Sequence, residues 1–327
     1  MWPVYSNTRS VLITRIRQFG GLRLIREYVR LGVLLPMVRL IFRNPFRRQS
    51  YKQAYLVALK KVEPFLAYKY GPMMPDRKSF YVSRQLEHQR SKIIWFCWLQ
   101  GLDNAPQIIK VCYSSLQQYL SDYDIKVIDG SNWKDYLELP EYILYRWEKN
   151  QIPPANFSDL LRLELLIRYG GTWIDATVLC TGKEHTEEYL NTDLFMFQYT
   201  RPGSEEWGGI GNWFITSCTN NEILMVLRDM LYAYWRDYDC TLDYYIFHLF
   251  FDKLRDVYPD EIAAMPYGYA VRHIALAKNW GKKYDPDKWS KLVSKVSFHK
   301  LTYVIAKRTK ATPDNYYNWI LNNCSKQ

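Results

Sequence analysis

Hydrophobic positions recur along the chain with two different periods, and the changes of period outline its elements. The stretch KIIWFCWL at 92–99 is an unbroken apolar run of strand length, the pattern of a strand buried on both faces. After a short loop, Pro106 opens PQIIKVCYSSLQQYL, apolar every third or fourth residue, which predicts a helix with proline in its first turn. DIKVID at 124–129 alternates apolar and polar and predicts a second strand. Strand, helix and strand within about forty residues form a βαβ unit, hence a parallel sheet covered by helices. NFSDLLRLELLIRYGG at 156–171 predicts a helix with Ser158 as N-cap and Asp159 in the first turn. Leucines fill its interior, and Gly170 ends it. A strand is then predicted from Thr172 to Leu179. Farther on, 221–238 and 242–254 predict amphipathic helices. Upstream, a helix is expected from Gln53 to Glu63, followed by a linker, YGPMMPDRKS.

Composition narrows the class. With 327 residues, 48% of them hydrophobic, the chain builds a full-sized core. Its net charge of +11 is concentrated: residues 1–52 hold ten arginines and Lys52 against Glu27 alone, which leaves only +1 for the remainder. A globally basic surface for nucleic acid therefore loses its support, and no nucleic-acid partner is expected. Within 11–49 the arginines interleave with Val11, Leu12, Ile16, Phe19, Leu22, Leu24, Ile25, Val29 and Leu31, with breaks at Gly20–Gly21 and Pro36. Short basic amphipathic helices of this kind suit an anionic membrane surface; the plainer reading is a helical hairpin packed on the body. No run of about eighteen apolar residues predicts a spanning helix. Six scattered cysteines, without metal spacing, read as reduced thiols of a cytosolic protein. The expected place is thus peripheral, at the cytoplasmic face of the cell membrane.

One carboxylate stands out. Asp175 lies inside the apolar run RYGGTWIDATVL, where an unpaired charge costs several kcal/mol. In an extended strand it shares a face with Thr177, and ligands of open α/β sheets bind at the strand ends. Two oxygen side chains there suit a hard divalent cation. The competing reading is a structural aspartate that accepts backbone N–H groups.

The sequence SDLLRLELLIRYGGTWIDATV resembles the sugar-nucleotide signature of retaining GT-A glycosyltransferases: a Ser-Asp-x-x-Arg helix, a Gly-Gly turn and a strand with Asp-x-Asp. It looks most like the capsular polysaccharide synthesis proteins and the related glycosyltransferase family 32. KIIWFCWLQGLDNAP is similar to their opening strand, and KLTYV at 300–304 to their closing segment. The resemblance implies a GT-A-like α/β fold, Rossmann-like and nucleotide-sugar-binding, with a mixed, mostly parallel sheet flanked by helices. It spans residues 91–305, after a basic helical extension (1–52) and a helical lead-in and linker (53–90), and before a tail (306–327).

It also implies roles. Trp98 would stack on the donor base. Asp159 and Arg162 would contact the donor's ribose or sugar and its phosphate, Arg162 through its planar fork. Asp175 would serve sugar nucleotide and metal, and Asp175 and Arg162 would carry the catalysis. The second aspartate of the pattern is Thr177 here, a neutral ligand, so the expected Mn2+ or Mg2+ would be held by Asp175 and Thr177 with His299 as a third ligand. Trp207, Asn212 and Trp213, around GGIGNW, read as a loop on the acceptor side, and Asp243 as either an acceptor carboxylate or a helix N-terminal charge. The activity implied is transfer of a sugar from a nucleotide-diphosphate donor to a saccharide or polyprenyl-linked acceptor, with retention. A membrane-associated GT-A-fold protein that binds without turnover is the alternative.

Overall fold

A computed structural model describes residues 16–43, 48–184, 186–305 and 307–324. They form two compact units. One combines the residues up to Gln85 with Glu138–Leu160 and Met225–Pro259; the other combines Leu86–Leu137 and Leu161–Leu224 with the residues from Asp260 onward. The basic extension, the lead-in and two later segments thus share a unit, a partition that sequence order does not announce.

The first unit is helical. Helices Leu22–Arg30 and Leu34–Arg43 are separated at Gly32, whose φ of +62° suits glycine. Pro36 does not break the second helix: it sits in the first turn, where no N–H is needed. Helix Arg48–Tyr70 continues through Pro64 beyond the expected Gln53–Glu63, and the expected linker is itself helical, Met73–Val82. Ala54, Ala58, Val62, Leu66 and Tyr70, each four residues on, make one fully buried stripe of the long helix. Tyr70 meets Phe250 edge-on at 5.4 Å, and its hydroxyl donates to Asp237 Oδ2 at 2.9 Å.

The second unit is the α/β part. Its strands are β1 (Ile93–Cys97), β2 (Asp124–Ile128), β3 (Gly171–Asp175), β4 (Val178–Cys180), β5 (Leu194–Gln198), β6 (Ile210–Ser217) and β7 (Phe298–Lys300). Five of them form a sheet of order β2-β1-β3-β6-β5. β1 runs parallel to β2 and β3, while β6 is antiparallel to β3 and β5, so β6 alone opposes the other four. The βαβ unit is as expected, with helix Gln107–Tyr119 burying Ile108, Ile109, Val111, Cys112 and Leu116. These join Ile94, Phe96, Ile174, Phe195 and Phe214 in the core. The fold class is therefore the one expected, a mixed, mostly parallel sheet flanked by helices.

Three details differ. Helix Pro154–Tyr169 starts ahead of Ser158, whose hydroxyl donates back to the Ala155 carbonyl at 2.7 Å instead of capping. The expected Thr172–Leu179 strand is two strands, β3 and β4, parted by a turn at 176–177. Residues 210–213 of GGIGNW belong to β6, not to a loop. The Gly-Gly turn is required as read. Gly170 and Gly171 have φ of +66° and +90°, and a Cβ on Gly171 would lie 2.4 Å from the Ile93 carbonyl oxygen.

Candidate functional site

Parallel pairing brings the carboxyl ends of β1 and β3 together: Cys97 is the register partner of Asp175. Trp98 follows at once, its backbone N–H bound to the Ile128 carbonyl at the end of β2. Such an edge gathers loop residues where the backbone leaves the sheet, and α/β proteins place ligands there.

Asp175 ends β3 on that edge with its side chain about one quarter exposed. Lys300 Nζ lies 2.6 Å from its Oδ2. Arg162 Nη2 lies 3.4 Å from its Oδ1, and Trp173 Nε1 donates to that same oxygen at 2.9 Å. Each partner has a structural reason. Trp173 is two residues back on the strand, hence on the same face. Arg162 reaches down from helix Pro154–Tyr169 with only 5% of its side chain exposed, its guanidinium 4.9 Å over the Trp173 ring. Lys300 is delivered by β7, which pairs antiparallel with β4 so that Lys300 opposes Val178. Leu301 N–H donates to the Thr177 carbonyl at 2.8 Å, and Lys300 Nζ is also 2.6 Å from Thr177 Oγ1. Burial pushes the Asp175 carboxyl up. Lys300 and Arg162, with the hydrogen bonds from Lys300 and Trp173, outweigh it and hold the group below the usual carboxylate range. What compensates Asp175 is side-chain charge, not the backbone amides of a structural aspartate.

Of the expected metal set, Asp175 and Thr177 do converge, but on the Lys300 ammonium. His299 is not with them. Neighbours in a strand face opposite ways, and its buried ring meets Thr181 Oγ1 through Nε2 at 3.0 Å. Burial and the nearby His273 push it down to about 3, so it is neutral. Among the described residues no three His, Cys, Asp or Glu side chains cluster as a metal site would. The Lys300 ammonium already sits 2.6 Å from both the Asp175 Oδ2 and the Thr177 Oγ1 that a cation would use. The residues present do not fit a resident Mn2+ or Mg2+.

Trp98 meets Tyr303 edge-on at 5.2 Å, and its buried Nε1 has no hydrogen-bond partner among the described residues. Tyr303 is about half exposed. Asp159, one turn before Arg162 on the helix, is buried. Antiparallel pairing of Ile174 with Phe214 sets the start of β6 beside the Asp175 end of β3. There Trp207 and Asn212 are partly buried, whereas Trp213 is core, stacked on Phe197 at 4.6 Å and 4% exposed. Asp243, in the helical unit, is the helix N-terminal charge of the plainer reading: buried, it accepts the Tyr245 N–H at 2.9 Å just before helix Ile246–Leu254. Sequence reasoning missed Lys300 and Trp173. The available signal for Lys300 was a single charge between buried neighbours, His299 and Leu301, in the segment that carried the resemblance.

The fold and this edge define an α/β protein with a carboxylate fixed between cations at the carboxyl ends of its parallel strands, a site class suited to polyhydroxylated, anionic ligands. More particularly, the chain belongs to the capsular polysaccharide synthesis protein family, whose model matches residues 43–320. No curated protein matches it in sequence. The solved structure of PaToxG Glycosyltransferase is similar at a TM-score of 0.38 and 12% identity, over 80% of this chain and 95% of that one.

Proposed function

We propose that this chain is a GT-A-type glycosyltransferase that moves a sugar from a nucleotide-diphosphate donor to a saccharide acceptor in capsule or exopolysaccharide synthesis. The observation that carries the reading is the Asp175–Arg162 pair at the carboxyl edge of the sheet, partly open to solvent and buried behind. In the transfer, the anomeric carbon's bond to the diphosphate oxygen breaks, the electron pair leaving with the phosphate. The acceptor's hydroxyl oxygen bonds to that carbon and passes its proton to the departing diphosphate. Charge develops on the departing diphosphate, and fixed cations aimed at it stabilise the transition state. Arg162, locked against Trp173 and Asp175, is preorganised for that role. Asp175 keeps it aimed and offers an acceptor to sugar hydroxyls, Asp159 binds on the donor side, and Trp98 with Tyr303 supplies an aromatic face for the base. Retention of anomeric configuration is part of the proposal.

Assayed against UDP- and GDP-sugars, the full chain is expected to hydrolyse or transfer from at least one, and Asp175→Ala to abolish this. Undiminished turnover in Asp175→Ala, with the variant folded, overturns the assignment. Donor binding without turnover by the wild-type chain selects the non-catalytic alternative.

The proposed setting is an anionic membrane surface holding a polyprenyl-linked acceptor. No helix among the described residues is long and apolar enough to cross a membrane. What supports peripheral docking is that Leu22 and Phe42 are 83% and 78% exposed on helices that also carry Arg23, Arg26, Arg30, Arg39 and Arg43. Residues 1–15 and 44–47 of the expected arm lie outside the described residues.

A further inference from the structure

The Asp175–Thr177 corner is where the sequence pattern places a divalent cation, and the structure fills it with a side chain. Lys300 Nζ sits 2.6 Å from both Asp175 Oδ2 and Thr177 Oγ1. An ammonium has three N–H donors. Two are engaged here, and the side chain is 23% exposed, which leaves a third donor for a ligand. β7 fixes the position through both backbone and side chain, because the Thr177 carbonyl accepts from Leu301 while its hydroxyl meets Lys300. A metal ion bound to the same two oxygens would have to displace the ammonium, and would then face Lys300 and Arg162 across a single carboxylate.

The balance of charge points the same way. At Asp175 itself, two cations meet one carboxylate. A diphosphate diester, with two negative charges, would find the Lys300 ammonium as a charged donor there. Thr177 in place of a second aspartate is then no defect. A second carboxylate would neutralise the ammonium further, whereas the Thr177 hydroxyl orients it without adding negative charge.

We infer that Lys300, held by Asp175 and Thr177, is the built-in counter-ion for the donor's diphosphate, occupying the position of a divalent cation and making diphosphate recognition metal-independent. The inference rests on the proposed glycosyltransferase reading and adds what that reading leaves open, the group that meets the diphosphate.

The test is calorimetric titration of the full chain with UDP, GDP and inorganic pyrophosphate, after exhaustive EDTA treatment and again with Mn2+. The expected result is binding of at least one diphosphate after chelation, changed less than about threefold by Mn2+. Charge-assisted contacts of this kind imply a loss of about ten- to a hundredfold in affinity for Lys300→Met, with Lys300→Arg recovering most of it. Thermal unfolding and circular dichroism establish that each variant is folded; if Lys300→Met is not, Lys300→Gln and the wild-type comparison with and without Mn2+ still decide. Wild-type binding that disappears on chelation and returns with Mn2+ overturns the inference, as does unaltered affinity in a folded Lys300→Met, and both leave the transferase reading standing. No diphosphate binding by the wild-type chain under any condition removes the transferase reading itself.

Discussion

Changing Asp175 to asparagine keeps the shape of the side chain and deletes its charge, which isolates what the carboxylate contributes to the fold. The asparagine oxygen still accepts from Trp173 Nε1, so that bond at 2.9 Å is retained. Lost are the ion pairs to Arg162 and Lys300. Removing one partner of a buried pair costs about 3–5 kcal/mol, whereas an exposed pair contributes about 0–1 kcal/mol. Arg162 is buried but 3.4 Å away, and Lys300 is close but shares Asp175's partial exposure. The case falls between the limits, at about 2–3 kcal/mol. With an m-value near 3 kcal/mol/M, the urea midpoint of the sheet unit should fall by about 0.7–1 M at neutral pH. The pH dependence identifies the source. Lys300 and Arg162 hold the folded carboxyl below its ordinary value of 3.8, so its contribution is fully present above that value and is lost as pH falls through the folded one. The penalty of Asp175→Asn should therefore stay flat from pH 8 to about 5 and shrink only below about 4. A penalty under about 0.5 kcal/mol, or one that already fades between pH 8 and 6, refutes the account of how this charge is held.

Three further outcomes are expected. Gly171→Ala should destabilise by more than the about 1–3 kcal/mol of backbone strain alone, because its Cβ would strike the Ile93 carbonyl, while Gly203→Ala, with φ of +73° and open space around it, serves as the strained but uncrowded control; urea midpoints check both. His299 and His273, pushed by burial down to about 3 and about 4, stay neutral while the unfolded chain takes up protons below 6.5. Stability should therefore fall as pH drops from 6.5 toward those values, by up to about 1.4 kcal/mol per pH unit for each histidine, and His299→Gln should flatten the slope measured between pH 6.5 and 4.5. Cosedimentation with anionic vesicles should drop on Leu22→Glu and Phe42→Glu together, and on raising salt; equal sedimentation of variant and wild type removes the docking proposal.

Much of the α/β unit was legible because its signals are local. KIIWFCWL, the helix after Pro106 and DIKVID each declare their state within a dozen residues, and the Gly-Gly turn states its own geometric need. Periodicity failed where a neighbour sets the outcome. Pro64 and the Pro-rich 70–79 stretch read as breaks, yet the burial of Ala54, Ala58, Val62, Leu66, Tyr70 and Met74 keeps the backbone helical around them. Asp175 and Thr177 were expected on one face of a single strand. They do share a partner, although a turn at 176–177 separates β3 from β4.

The site was half legible for a related reason. Asp175 announces itself because a carboxylate in an apolar run demands a partner, but the sequence does not say which one. Arg162, thirteen residues upstream, could be anticipated from helix and strand meeting at the Gly-Gly turn; Lys300, 125 residues downstream, could not, because only the pairing of β7 with β4 brings it in. The adjacent His299 was the expected third ligand, but strand alternation turns its ring away to Thr181. One residue of register separates a metal ligand from a buried neutral ring, and the same step puts the ammonium on the carboxylate. The location of the site therefore follows from local sequence, whereas its electrostatics follow from strand pairing. The Lys300 ammonium on Asp175 and Thr177 is thus a product of the β4–β7 pairing, which no local motif around Asp175 states.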